Sequence, residues 1–216
     1  VTARIRPDGE DLVADCRLEA ERLLPGSHTP QRTVHFTGSV RLAVHRPEAP
    51  QDEPVHEAGD APTLAAADVY RLYFHGPAYR VVGQAWREDG TAVGRPPQQL
   101  PPDREPSGPP TVLGPRLEEL CFQVAGLWEA GCDGRLALPA HVDRLSVLGD
   151  VTAGLSSSLV AVVRPATGLH GVFDCRVLDP SGKVVLRLDG YRTVPMPGEL
   201  AEEVRGPLRA VMAGRG

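Results

Sequence analysis

The stretch GPRLEELCFQVAGLW, from Gly114 to Trp128, decides the fold of this chain. Apolar side chains recur in it at spacings of three and four residues, which places them on one face of an α-helix. They are Leu117, Leu120, Cys121, Val124, Leu127 and Trp128. Pro115 suits the first helical turn and Gly131 offers a stop. We therefore predict a helix from about Pro115 to Ala130.

Only segments with strand character follow this helix. They cover residues 142–148, 157–164, 170–178 and 183–194, and the last two are joined at Pro180-Ser181-Gly182, a hairpin signal. One long helix followed by a run of antiparallel strands is typical of an α+β unit in which the sheet wraps around the helix.

The residues before the helix divide into short segments. Residues 47–62 are rich in Pro, Glu, Asp and Ala without periodicity, so we interpret them as a linker. A short helix is predicted from Thr63 to Tyr73, with Thr63 as its N-cap, and a strand over residues 80–87. After the last strand, residues 199–216 form a C-terminal linker or charged helix. The main body is then 63–198.

Apolar and polar residues alternate in three successive segments within residues 1–46. Period two indicates half-buried strands, and turn signals at Pro7-Asp8-Gly9 and Pro25-Gly26-Ser27 favour an antiparallel meander. No helix is predicted here to cover the apolar face, so we expect a cover from outside these residues. The chain opens on Val1 in a strand-like segment, and we interpret it as a piece of a longer polypeptide.

Composition excludes several classes of function. The chain has a formal charge of −5 and no basic stripe, so nucleic acid is not an expected partner. Its four cysteines are far apart, which suggests neither a zinc site nor a disulfide framework. No apolar run approaches the length of a membrane span, and the first residues lack the charged-then-apolar pattern of a signal peptide. We expect a cytoplasmic protein.

Two segments resemble polyketide synthase dehydratases. YRLYFHGPAYR, from Tyr70 to Arg80, resembles the Y-G-P-x-F region that begins the second hotdog of that family, with His75 at the tyrosine position and Tyr79 at the phenylalanine position. The stretch from Gly114 to Trp128 resembles the family's H-P-x-x-x-D-x-x-x-Q/H helix. Glu119 falls on the acid position and Gln123 on the glutamine or histidine position.

The resemblance implies a fold and an activity. The fold is α+β, the C-terminal part of a double hotdog whose first hotdog is incomplete: residues 1–46 correspond to its closing strands and residues 63–198 to the second hotdog. The activity is that of a hydro-lyase from a bacterial type I polyketide synthase, which removes water from a 3-hydroxyacyl thioester to give the 2-enoyl thioester. Partners are the acyl carrier protein and neighbouring synthase domains, and a homodimer is compatible with the resemblance. No metal or other cofactor is implied, because the phosphopantetheine arm comes with the carrier-bound substrate.

The same resemblance assigns the site residues. Glu119 is the expected acid, because a carboxyl group in an apolar tunnel has a raised pKa and arrives protonated. Gln123, one helical turn later, can hold the carboxyl group or the substrate hydroxyl. The substrate-binding residues are His75, Gly76, Pro77 and Tyr79. We expect Glu119, Gln123 and His75 to share one apolar tunnel.

The general base is not found by these motifs. The family carries it as a histidine in the pattern H-x-x-x-G-x-x-x-x-P, and none of the seven histidines of this chain fits. His35 is followed by glycine three positions on instead of four. Either the histidine lies upstream of Val1 or the domain has lost it. Two alternatives stay open, a catalytically silent double hotdog that serves as scaffold or carrier-docking module, and a product-template-like domain that guides cyclisation.

Overall fold

The computed structural model describes residues 1–102, 114–151 and 155–213, and the chain divides into two compact units. The first unit is Val1–Pro47 and the second is Glu48–Gly216. The first contains the predicted antiparallel meander: β1 (Thr2–Asp8), β2 (Asp11–Arg22) and β3 (Gln31–Leu42), paired in that order.

Burial in the first unit differs from the prediction of half-buried strands. Ile5, Ala14 and Val40 lie opposite one another across the three strands, as alternation requires. Yet Val13 and Ala14 are the only buried apolar residues of these strands, and Phe36 is 70% exposed. The described residues of this unit include no helix or second sheet layer, so its own fold supplies no cover for the apolar face.

The described residues of the second unit form an eight-stranded antiparallel sheet and three α-helices. In chain order its elements are β4 (Thr63–Ala65), α1 (Ala66–Leu72), a 3₁₀ turn (Pro77–Tyr79), β5 (Gln84–Glu88), β6 (Thr91–Arg95), α2 (Pro115–Cys132), β7 (Ala137–His141), β8 (Arg144–Val147), β9 (Val160–Pro165), β10 (Val172–Leu178), β11 (Val184–Pro195) and α3 (Glu202–Met212). The strand order is β4-β5-β6-β9-β10-β11-β7, and β8 also pairs with β11.

Helix α2 packs against β6, β7, β9 and β10, so the sheet wraps around it. Its apolar face is fully buried at Leu117, Leu120, Val124 and Leu127. The predicted α+β arrangement of one long helix and an antiparallel sheet is therefore confirmed. None of the helices among the described residues is long and apolar enough to cross a membrane.

Two helix boundaries differ from the sequence prediction. Thr63 is not an N-cap, because residues 63–65 pair with β5 as a short strand and the helix begins at Ala66. Helix α2 does not stop at Ala130 but continues through Gly131 to Cys132. A Cβ atom at Gly131 would lie 2.5 Å from the Cβ of Met212, so this glycine permits the close approach of α3.

The segments predicted as linkers lie against the second unit. Asp52 forms an ion pair with Arg176 of β10, and Gln51 forms a β-bridge with Lys183. Helix α3, within the predicted tail 199–216, packs on α2 and buries Leu208 and Met212. Both segments therefore belong to the second unit. This unit begins at Glu48, whereas the sequence predicts a main body that begins at residue 63.

Candidate active site around Glu119

Three of the residues selected from the sequence meet at one carboxylate oxygen. Glu119 lies in the second turn of α2, and its side chain is 21% exposed. Its Oε1 accepts a hydrogen bond from Nε2 of Gln123 at 2.9 Å and lies 3.0 Å from Nε2 of His75. The helix supplies the first contact through i, i+4 spacing. The second contact joins α2 to the loop that follows α1.

Gln123 is oriented by hydrogen bonds at both ends of its amide group. Its Nε2 also donates to the backbone carbonyl of Tyr79 at 2.8 Å, and its Oε1 accepts from the hydroxyl of Tyr70 at 2.9 Å. The side chain is only 2% exposed. Both amide protons and the carbonyl oxygen are thus engaged with the protein, so Gln123 positions the carboxyl group of Glu119.

Two tyrosines of α1 and its C-terminus fix this helix against α2, and neither was selected from the sequence. The Tyr70 hydroxyl accepts from the backbone N–H of Val82 at 2.8 Å while donating to Gln123. The Tyr73 hydroxyl donates to the backbone carbonyl of Gln123 at 2.7 Å, next to Gly126, where a Cβ atom would overlap it. Burial raises the pKa of both phenols, so they stay protonated donors at neutral pH. Tyr70 and Tyr73 are three residues apart, which places both side chains on one face of the short helix, and this spacing could have identified them from the sequence.

His75 is held by its neighbours in the loop. Its ring lies parallel to Phe74, with the ring centres 5.5 Å apart, and meets the ring of Tyr73 edge-on at the same distance. Its backbone carbonyl accepts from Nε of Arg80 at 3.1 Å. The side chain is 25% exposed, but Nδ1 is shielded from water and has no hydrogen-bond partner among the described residues.

The remaining substrate-binding candidates form the 3₁₀ turn that follows His75 and its N-cap. Gly76 and Pro77 are exposed and open the 3₁₀ turn, so they shape the path of the chain from His75 to Tyr79. Tyr79 contributes its carbonyl to Gln123, and its ring faces the guanidinium of Arg116 at 5.9 Å. The shared apolar tunnel stays a prediction.

Glu118, the residue before Glu119, was not selected from the sequence. Burial raises its pKa from the usual 4.5 to about 7. Its Oε1 is shielded from water and makes no hydrogen bond within the part of the chain that the structure describes. The two adjacent carboxyl groups therefore have different surroundings: Oε1 of Glu118 has no partner among the described residues, and Oε1 of Glu119 has two.

The arrangement leaves one carboxyl oxygen available for chemistry. Both contacts to the Glu119 carboxyl group go to Oε1, and no described residue bonds Oε2. An oriented carboxyl group with one unengaged oxygen can give a proton to a leaving group or take one from a substrate. The fixed geometry keeps this oxygen in one place during the reaction.

A comparison with protein families matches residues 48–203, more than half of the chain, to the family described as "Polyketide synthase dehydratase N-terminal domain". The matched segment contains α1, α2 and every residue of the site. The comparison with curated proteins finds no match.

Solved structures share the fold. A trans-AT polyketide synthase dehydratase domain from Brevibacillus brevis superimposes with a TM-score of 0.64 at 15% identity, covering 90% of this chain and 68% of that one. The dehydratase domain of PpsC from Mycobacterium tuberculosis gives 0.59 at 20% identity, covering 90% and 67%. The erythromycin dehydratase gives 0.57 at 22% identity, covering 87% and 65%. The chain spans about two thirds of the length of these domains.

Proposed function

Because the chain belongs to the polyketide synthase dehydratase family, we propose that it takes part in removing water from a 3-hydroxyacyl thioester to give the 2-enoyl thioester. The observation that carries this proposal is the carboxyl group of Glu119, which is held at Oε1 by Gln123 and whose Oε2 no described residue bonds. It lies on the helix whose sequence resembles the acid-bearing helix of the family.

The proposed step uses Glu119 as the general acid. The C2–H bond breaks and its electron pair forms the C2=C3 double bond, while the C3–O bond breaks and the hydroxyl leaves. A proton from Oε2 of Glu119 converts the leaving hydroxyl to water. A base takes the C2 proton and gives it up to solvent, and solvent returns a proton to Glu119, so both groups regain their starting protonation. The elimination involves no net oxidation or reduction, so it requires no redox cofactor.

The base is proposed to be a histidine outside Val1–Gly216, because no histidine of this chain has the family's pattern. Two solved structures of the CurK dehydratase support a need for both partners in that protein. They are described as inactive mutants, one with an aspartate changed to asparagine and one with a histidine changed to phenylalanine.

The substrate is proposed to arrive on the phosphopantetheine arm of an acyl carrier protein, in a bacterial type I synthase whose neighbouring domains supply it. The thioester carbonyl makes the C2 proton acidic enough for a side-chain base to remove. The chemistry therefore favours a 3-hydroxyacyl thioester over a simple alcohol, and the carrier protein is proposed from the family.

The test uses a joined polypeptide, in which a segment that carries H-x-x-x-G-x-x-x-x-P precedes this chain. Variants of the adjacent residues Glu118 and Glu119 are compared in it. Mass spectrometry of the loaded carrier measures enoyl product. Glu119→Gln should reduce the rate on the order of 10²- to 10⁴-fold, as loss of an acid–base partner does. Glu118→Gln is the matched control and should keep most of the activity. The 216-residue chain alone should give no measurable product.

The same experiment distinguishes an active dehydratase from a catalytically silent double hotdog. The missing histidine pattern favours this silent alternative. A joined polypeptide that binds the loaded carrier but never forms enoyl product would indicate a scaffold or docking module. Equal rates for Glu119→Gln and the unchanged protein would show that the acid is another residue.

A further inference from the structure

We propose that Tyr70 is a positioning residue for the dehydration, because its hydroxyl, together with the Tyr79 carbonyl, fixes which end of the Gln123 amide group faces Glu119. This inference rests on the proposed function, since it concerns the same acid. Tyr70 lies 53 residues before Gln123 in the chain, and the sequence motifs give it no role. Its action on the acid passes through Gln123.

The side-chain amide of Gln123 has two ends of nearly the same shape and opposite hydrogen-bonding character. The NH₂ end donates two hydrogen bonds, and the oxygen end accepts. Packing alone therefore does not distinguish the two orientations of the amide, and its hydrogen-bond partners must do so. Because the side chain is only 2% exposed, those partners come from the protein.

The first partner is a backbone carbonyl. The carbonyl oxygen of Tyr79 accepts from Nε2 of Gln123 at 2.8 Å. A carbonyl can only accept, so it selects the NH₂ end of the amide. An amide turned by half a rotation would bring two oxygen atoms together at this point, and both would lose a hydrogen bond.

The second partner is Tyr70, and a backbone group sets the direction of its hydroxyl. The N–H group of Val82 donates to the Tyr70 hydroxyl oxygen at 2.8 Å. Since this oxygen accepts there, its own hydrogen is left for Oε1 of Gln123, which lies 2.9 Å away. Burial raises the pKa of the phenol, so the hydrogen stays in place at neutral pH. The N–H group of Val82 is thus read by the oxygen end of the amide.

Tyr70 is held in place for this task. The preceding residue, Val69, is fully buried and anchors α1, and the guanidinium of Arg80 lies 5.3 Å from the centre of the Tyr70 ring. Tyr79 and Val82, whose backbone groups act on the two ends of the amide, are only three residues apart in the chain. One short stretch of backbone therefore controls both ends, directly at Tyr79 and through Tyr70 at Val82.

The orientation of the amide matters for the acid. In the orientation observed, Nε2 of Gln123 donates to Oε1 of Glu119 at 2.9 Å. An oxygen that faces an N–H group cannot hold a proton on the same line, so the proton to be donated lies on Oε2, which no described residue bonds. The reversed amide would present an oxygen to Oε1, and it would either repel the carboxylate or accept the acid proton. Tyr70 therefore helps to keep this proton available for the leaving hydroxyl.

The first experiment needs no turnover and uses the 216-residue chain with ¹⁵N-labelled glutamine. In the unchanged chain, NMR should show one side-chain NH₂ group whose two protons both exchange slowly with water, and Gln123→Leu should remove both signals. Exchange should be about five- to tenfold faster in Tyr70→Phe, which is the factor that one hydrogen bond contributes. Tyr73→Phe removes a bond to the backbone carbonyl of Gln123 and should leave the two side-chain protons protected.

Two results of this experiment overturn the proposal. The absence of such a protected pair from the unchanged chain does so even if Tyr70→Phe does not fold. Equal exchange in Tyr70→Phe and the unchanged chain does so because the hydroxyl would then not hold the amide.

The second experiment measures kcat and KM of the joined polypeptide. Tyr70→Phe should lower kcat on the order of 10- to 10²-fold with little change in KM, because a misplaced acid slows the chemical step and leaves binding intact. Tyr73→Phe is the matched comparison, and its loss of kcat should be at least about fivefold smaller. In a Gln123→Leu background, Tyr70→Phe should cause no further loss of kcat, because the connection to Glu119 is already broken.

The kinetic result separates positioning from a structural role. Losses of kcat that multiply in the double variant overturn the proposal, because Tyr70 would then act independently of Gln123. Equal losses for Tyr70→Phe and Tyr73→Phe also overturn it, because they would indicate that both tyrosines only hold α1 in place. If no variant forms product, the proposed function fails, while the exchange of the Gln123 amide protons still decides the role of Tyr70.

Discussion

Replacing Glu118 by glutamine should flatten the dependence of stability on pH. Burial raises the pKa of Glu118 from 4.5 in the unfolded chain to about 7 in the folded one. Between these values the folded state binds more protons than the unfolded state, so the free energy of unfolding falls as the pH rises. The contribution of Glu118 is fully present below pH 4.5 and is lost as the pH passes through 7.

The size of the effect follows from the two pKa values. A shift of one pKa unit corresponds to about 1.4 kcal/mol, so the contribution changes by at most about 2.5 kcal/mol between pH 5 and pH 8. Water reaches part of the Glu118 side chain, which reduces the expected change to about 1–2 kcal/mol. Glutamine cannot titrate. We therefore compare the free energy of unfolding of Glu118→Gln with that of the unchanged protein at each pH. This difference should shift in favour of the variant by about 1–2 kcal/mol between pH 5 and pH 8.

Denaturant unfolding followed by tryptophan fluorescence reports the unfolding of the second unit, which contains Glu118. The chain has two tryptophans, Trp86 and Trp128, and both lie in the second unit with Glu118. Glu203→Gln, at an exposed position of α3, is the matched control and should leave the pH dependence unchanged. Parallel curves for the unchanged protein and Glu118→Gln would refute the reasoning, because they would mean that burial does not perturb this carboxyl group.

Three further changes test how the site is held. Gly126→Ala should lower the free energy of unfolding by about 1–2 kcal/mol in urea titrations, because expelling the Tyr73 hydroxyl outweighs the roughly 1 kcal/mol by which alanine favours a helix; no loss of stability would mean that Tyr73 does not pack there. Gln123→Leu should cost about 2–4 kcal/mol by the same measurement, since it leaves the Tyr70 hydroxyl without its acceptor. Gly131→Val should detach α3, seen as faster proteolysis of residues 199–213, and unchanged cleavage would contradict the packing.

The sequence predicts those features that depend on neighbours along the chain. Pro115 begins α2 as its residue type suggests, and the meander of the first unit follows from period two. The contact between Glu119 and Gln123 is also local, because residues four apart lie on the same side of a helix. The resemblance to polyketide synthase dehydratases is confirmed by the family match, while the assignment of Glu119 and Gln123 as site residues stays a prediction.

Only the tertiary structure decided which of two adjacent glutamates is held by other described residues and which has a shielded oxygen, Oε1, that no described residue bonds. The family motif selects Glu119, but the residue type and helix position of the two glutamates do not separate them; they point in directions about 100° apart, so different elements surround them. The contact of His75 with Glu119, the bonds of Tyr70 and Tyr73 to Gln123, and the short strand at Thr63 likewise join segments far apart in the chain. The hydrophobic periodicity of a segment predicts which of its faces is buried. It does not predict which side chains from distant segments contact that face. Those contacts are fixed by packing.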